Sequence, residues 1–216
     1  MMALQKSAVT LSDIERHVID DAIELIATVG VGNPLMHTHA IHAMHSDRQR
    51  VALFLRQTLG RQAILIGTRL HAPKGSGKTG ETASIESYIH YAETENVLST
   101  ADANGFRALR KAIVEKLERD GIKISELVDY RHSELAHSLH SRVALTNKLA
   151  SLPIWDFADE TFKLVLKIER AVSGKARLDA EFQDWLDRGL AFWPEAKQFL
   201  PADFDISEFP ERSDVG

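Results

Sequence analysis

The 216-residue chain contains no cysteine, and this absence excludes a disulfide framework, a zinc ribbon and a thiol nucleophile. No run approaches the roughly 18 apolar residues that span a bilayer, and Met1–Thr10 lacks the apolar core of a signal peptide. We therefore expect a cytoplasmic protein without a membrane partner. The net charge of −5 argues against a broadly basic coat for nucleic acid but leaves room for a local basic patch.

Helical periodicity dominates what is present, and 44% apolar residues suffice for a core. From Ile14 to Val29, apolar residues recur every three or four positions, and Ser12 with Glu15 has capping-box spacing. Strand signals are scarce. The pattern predicts an all-α fold: a single-domain bundle of about six to eight helices over residues 1–200, followed by an acidic tail over 201–216.

The remaining helices are predicted from the same periodicity and from capping residues. Ser46 and Gln49 could begin a fresh helix within 35–69, so that stretch is either one kinked helix or two. The Gly- and Pro-containing stretch 71–82 is predicted to be an exposed loop. Further helices are expected at about 84–97, 102–119, 125–149, from Pro153 through Ile168, and 180–190.

Charge is unevenly distributed along the chain. The window 106–148 has a net charge of +3 and three histidines, which leaves −8 for the rest. If RNA binds, this window has the charge to hold phosphates. Ordinary solvated helix faces are the alternative.

Within that window, Arg131 and His132 are followed by Glu134 and His137. Cleaving RNA without a metal requires proton transfer, which histidine performs near neutral pH, and a cation that stabilises the charge on phosphorus. On a regular helix Arg131 and His137 lie about 120° apart, so the long guanidinium must reach toward the imidazole. The alternative is that Arg131 pairs with Glu134 and the histidines lie on the surface.

The segment Arg131-His132-x-x-x-x-His137 resembles the HEPN signature, which is an Arg, a polar residue, and then His after a spacing of four to six. Ala136-His137-Ser138 is similar to a segment of abortive-infection HEPN proteins of the AbiU kind. Residues 64–70, 82–85 and Trp155 fit the resemblance more diffusely.

The resemblance implies an all-α homodimer with two motifs facing each other, and a metal-independent ribonuclease that needs no cofactor. It also implies a toxin or anti-phage role, with an antitoxin protein as partner. Arg131 would then stabilise the phosphorane, His137 would be the acid/base and His132 would orient the site. Arg69, Glu134 and His140 are weaker candidates for substrate contacts. Leu139 stands where some members carry a tyrosine that a partner nucleotidyltransferase modifies.

Two other segments could carry chemistry. Residues 72–79 fit a relaxed P-loop in which Ala72 replaces the first glycine, and this would need a strand over 62–66. Without alternating strands and helices, a Gly/Lys/Ser loop between helices is the simpler prediction. In the histidine cluster His37, His39, His42 and His45, the pairs His39/His42 and His42/His45 have the i, i+3 spacing that suits zinc or nickel. We expect no metal because a complete signature is missing.

Three functional hypotheses remain. The first is a HEPN-type endoribonuclease that uses the 2′-hydroxyl as nucleophile and leaves a 2′,3′-cyclic phosphate. The second is a non-catalytic HEPN module that binds nucleotide, RNA or a partner protein. The third is a P-loop NTPase, against which a high helical content would count.

Overall fold

Seven α-helices make up most of the chain described by the structure, a computed structural model that covers residues 9–35, 41–73, 83–136, 152–175 and 177–194. The helices are α1 Leu11–Gly32, α2 Ser46–Leu70, α3 Ile85–Thr94, α4 Thr100–Arg119, α5 Ile124–Ala136, α6 Leu152–Ser173 and α7 Arg177–Phe192. A 3-10 turn, Asn33–Leu35, follows α1, and the described ranges contain no strand. The predicted all-α bundle is confirmed. None of these helices is both long and apolar enough to cross a membrane.

Helix α1 is the centre of the bundle. Its apolar stripe is buried against α2, α3, α6 and α7, and the core continues through these helices and α4. α1 and α7 approach most closely at Gly30 and Gly189. A Cβ added to Gly189 would collide with the backbone carbonyl of Gly30, so both positions need the smallest residue.

The helix starts differ in detail from the sequence prediction. α1 is capped by Thr10 and Asp13, not by Ser12 and Glu15: the Asp13 amide donates to Thr10 Oγ1 (3.3 Å), and the Thr10 amide donates to Asp13 Oδ2 (3.1 Å). This earlier start buries Leu11 in the core. α2 does begin at Ser46, but Gln49 reaches back and donates to the Met44 carbonyl (2.8 Å).

A second, smaller core lies beside the first half of α2. Trp193, just after α7, is 1% exposed and packs with Ala52 of α2 and with a few residues from the chain before α2. Arg48 donates to the Phe192 carbonyl (3.0 Å), and its guanidinium lies over the Trp193 ring. The end of the described chain is therefore anchored on α2.

Candidate functional site

Helix α5 carries the first half of the predicted catalytic motif. Leu127 and Tyr130 are buried in the main core, where α5 packs against α2 and α4. Arg131 follows Leu127 by four residues, so it lies one turn further along the same side of the helix. It is half-buried, whereas His132 is exposed.

The Arg131 guanidinium has no partner among the described residues: no carboxylate pairs with it and no oxygen accepts its hydrogen bonds. A guanidinium without a counter-charge can bind an anion. No described contact gives Arg131 a structural role, so its side chain is a candidate for binding an anion.

The other motif residues are described only in part. His137 and His140 lie outside the described residues, and of Glu134 only the helical backbone is described. The alternative pairing of Arg131 with Glu134 therefore stays a prediction. The structure brings Arg131 and His132 together on one helix, and the roles of the remaining residues stay predictions.

Arg69, the predicted phosphate contact at the end of α2, already has an anionic partner. Its Nε donates to Asp21 Oδ2 of α1 at 2.6 Å, a second guanidinium nitrogen pairs with Asp21 Oδ1, and Glu24 lies 3.7 Å away. Burial raises the pKa of Asp21 even though Arg69 opposes the shift. An RNA phosphate at Arg69 would have to compete with this pair.

Much of the basic window is also engaged within the fold. Arg107 of α4 pairs with Glu86 (3.0 Å) and Glu93 (2.9 Å) of α3. Arg110 contacts Glu86 and donates to the carbonyl of His71 (2.6 Å). These arginines hold α4 to α3 and to the end of α2, so they are not available to phosphate. The charged residues of α4 therefore fit ordinary solvated helix faces with ion pairs better than they fit a nucleic-acid-binding surface.

A small groove between α4 and α6 is a poor phosphate site as well. Lys116 lies in it 3.6 Å from Asp156 and 3.4 Å from Glu160, and Asp120 adds a third carboxylate to the lining. Although burial opposes the shift, Asp156 and Glu160 raise the pKa of Lys116. One cation among three acids gives this groove a negative charge, which repels RNA.

His71, which was predicted to open an exposed loop, is buried at 5% exposure. The hydroxyl of Thr161 donates to the Phe157 carbonyl (2.6 Å), so it must accept from Nε2–H of His71 (3.0 Å). Burial, with a smaller contribution from Arg110, lowers the pKa of His71 to about 3. His71 is thus a neutral core residue. The burial of His71 could have been predicted from its spacing of four residues from Gly67, which extends the buried side of α2 by one turn.

The structure gives little support to the two remaining sequence candidates, the P-loop-like segment and the histidine cluster. Residues 62–66 are helical within α2, so the strand that a P-loop needs is replaced by a helix, and 74–80 lie outside the described residues. His42 and His45 are exposed, and His37 and His39 lie outside the described part. The described residues include no group of three His, Asp or Glu side chains that could hold a metal ion.

The first half of α2 presents a surface that the sequence analysis missed. Val51, Leu53 and Phe54 are 52%, 49% and 67% exposed, although the second half of the same helix is well packed. Arg50 is exposed beside them, and no described carboxylate pairs with it. Nε of Arg61, two turns beyond Phe54, is buried without a hydrogen-bond partner. The sequence feature that could have indicated this surface is the composition of α2, which has five arginines and one acidic residue.

Together, the fold and the site define an all-α bundle with a half-buried arginine on α5 that has no partner among the described residues. No family model matches the chain, and neither a curated protein nor a solved structure matches it. The HEPN resemblance therefore rests on the sequence motif, of which only the segment 131–137 is specific, and the function has to be argued from the chain's own chemistry.

Proposed function

We propose that this protein is a metal-independent endoribonuclease of the HEPN type, with its site at the end of α5. The observation that carries the proposal is that Arg131 is a half-buried residue whose guanidinium has no described counter-charge. His137 follows it by six residues, close enough in sequence to act at the same phosphate.

The chemistry needs two proton transfers and one fixed cation. His137 takes the proton from a ribose 2′-hydroxyl, whose oxygen attacks the adjacent phosphorus. Arg131 stabilises the negative charge on the phosphorane oxygens. The P–O5′ bond then breaks, and the departing oxygen takes up a proton. The products are a 2′,3′-cyclic phosphate and a 5′-hydroxyl.

His132, exposed next to Arg131, is the described group best placed to supply the second proton or to orient the substrate. In a homodimer, two copies of the motif would double the cations and imidazoles in one cleft. Activity of this kind would arrest growth, so control by an antitoxin protein belongs to the same proposal.

The test is a digest of total RNA in excess EDTA by the wild type and by the variants His137→Ala and Arg131→Ala, with analysis of the product ends. We expect the wild type to leave cyclic phosphates and each variant to lose about 100-fold or more in rate. His17→Ala and Arg16→Ala, at exposed positions of α1, are matched controls that should retain activity. Full activity in His137→Ala would overturn the assignment.

A binding module without catalysis is the second candidate, and the paired arginines of α4 favour it because they leave few cations for a long RNA track. Such a module retains labelled RNA intact, with an affinity that falls as salt rises. Arg131→Ala would weaken binding in both cases. Cleavage by the wild type separates the two candidates.

A further inference from the structure

One side of α2 between residues 50 and 61 forms a continuous surface, in which Arg50, Val51 and Phe54 are exposed and Arg61 is partly exposed. Arg50, Phe54 and Arg61 lie within about 40° of one another around the helix axis, and Val51 lies about 60° from Phe54. Ala52, the buried anchor of the first half of α2, points to the opposite side. We call Arg50, Val51, Phe54 and Arg61 the Arg/apolar face.

This face has the character of a binding surface. Phe54 is 67% exposed, which is unfavourable for a large apolar ring in water, and the two arginines beside it have no described carboxylate partner. A surface of this kind fits a segment that alternates acidic and apolar residues.

We propose that the Arg/apolar face is the docking site of the chain's own C-terminal segment, residues 203–214. This segment, Asp-Phe-Asp-Ile-Ser-Glu-Phe-Pro-Glu-Arg-Ser-Asp, lies outside the described residues, and its net charge is −4. Its apolar residues, Phe204, Ile206 and Phe209, alternate with acids. Its composition is therefore complementary to the face in both charge and hydrophobicity.

The position of the chain end supports an intramolecular contact. Trp193 is fixed beside Ala52, on the side of α2 away from Phe54, and only residues 195–202 separate Pro194 from the acidic segment. Eight residues span at most about 27 Å when extended, whereas half the circumference of a helix with its side chains is about 16–19 Å. The segment can reach around the helix, and the tether raises its effective concentration at the face.

A second copy of the same face is a poorer occupant. Face-to-face pairing of two α2 helices would bring Arg50 and Arg61 of one copy against the same residues of the other, and like charges at an interface oppose association. The acidic segment neutralises the arginines and covers Phe54. This inference does not depend on ribonuclease activity.

Because these 216 residues contain no cysteine, two introduced cysteines are the only thiols available for cross-linking. Thr58→Cys is exposed four residues after Phe54, and Ser207→Cys lies in the middle of the segment. Mild oxidation by diamide should cross-link this pair within one chain. The control pair, Ala112→Cys with Ser207→Cys, uses an exposed position on α4 and should cross-link about fivefold less or lower still.

Charge reversal completes the design. Arg50→Glu with Arg61→Glu should reduce the Thr58/Ser207 cross-link about fivefold, and Asp205→Lys with Glu208→Lys in the same chain should restore it. Rescue of this kind cannot come from loss of folding. Equal cross-linking of the two cysteine pairs overturns the proposal. So does a cross-link that forms mainly between chains and rises with protein concentration, because the occupant would then be a second copy.

Discussion

The two halves of α2 are used in opposite ways. From Gly60 to Leu70, seven residues are buried against the rest of the bundle, and a Cβ added to Gly67 would collide with the ring of Phe157. From Ser46 to Thr58, only Ala52 is buried. One continuous helix is thus a core element at its C-terminal end and an open surface at its N-terminal end.

The arginines of α2 also differ from one another in their partners. Arg69, in the buried half, pairs with Asp21. Arg50 has no described carboxylate partner, although it belongs to the same helix. The number of arginines therefore says little about function here. An arginine that is paired within the fold, as those of α4 are, has a structural role, whereas an arginine without such a partner is available to a ligand.

The largest expected contrast concerns packing. Ile64→Ala, at a position with 0% exposure, should lower the free energy of unfolding by about 3 kcal/mol, because it removes buried methyl groups and leaves a cavity. Phe54→Ala removes a larger side chain but should change stability by less than about 0.5 kcal/mol. Urea denaturation measures both. A comparable loss of unfolding free energy in Phe54→Ala would show that the first half of α2 is packed as well, which would contradict the difference between the two halves.

The second expectation concerns pH and the end of α2. Burial lowers the pKa of His71 to about 3, against about 6.5 for an unfolded chain, so the unfolded state takes up a proton first as the pH falls. The stabilisation is complete above about pH 7 and is lost between about pH 6.5 and 3. Between pH 7 and 5 the loss is about 2 kcal/mol.

His71→Gln isolates this effect, because glutamine retains a donor for Thr161 but does not titrate. The variant should be less stable than the wild type at pH 7, yet its stability should change much less down to pH 5. Stability curves with the same slope in both proteins would mean that His71 is not the titrating group.

Much of the fold could be predicted because helix periodicity and capping are local. The seven helices of the described residues lie within the expected six to eight. The helix expected from about residue 84 is α3, and Ser84 caps its start. The capping pair of α1 was misplaced by two residues, since Thr10/Asp13 and Ser12/Glu15 have the same spacing and only tertiary burial of Leu11 distinguishes them.

The candidate site was less predictable because it depends on partners distant in sequence. Arg69 and Asp21 are 48 residues apart, and the contact between His71 and Thr161 spans 90 residues. No local pattern tells a paired arginine from an unpaired one. The exposure of Phe54 was equally hidden, because an apolar residue on a helix is ordinarily a sign of the core.

The smallest expected effect is the coupling of Arg69 to Asp21. A double-mutant cycle with Arg69→Ala and Asp21→Ala should give a coupling of about 1 kcal/mol, because the pair is bidentate but Arg69 is 46% exposed. Arg50→Ala should change stability by less than about 0.5 kcal/mol. Adding salt should weaken the coupling only slightly, since the two groups are in direct contact.

The same variants examine the prediction that Arg69 contacts phosphate. If the ion pair is the main role of Arg69, Arg69→Ala should weaken RNA binding no more than Arg16→Ala does at an exposed position of α1. A selective loss of RNA affinity in Arg69→Ala, together with a coupling near zero, would move Arg69 from the structural arginines to those available to a ligand. The assignment of Arg69 as a structural arginine would then be wrong, whereas the difference in packing between the two halves of α2 would still hold.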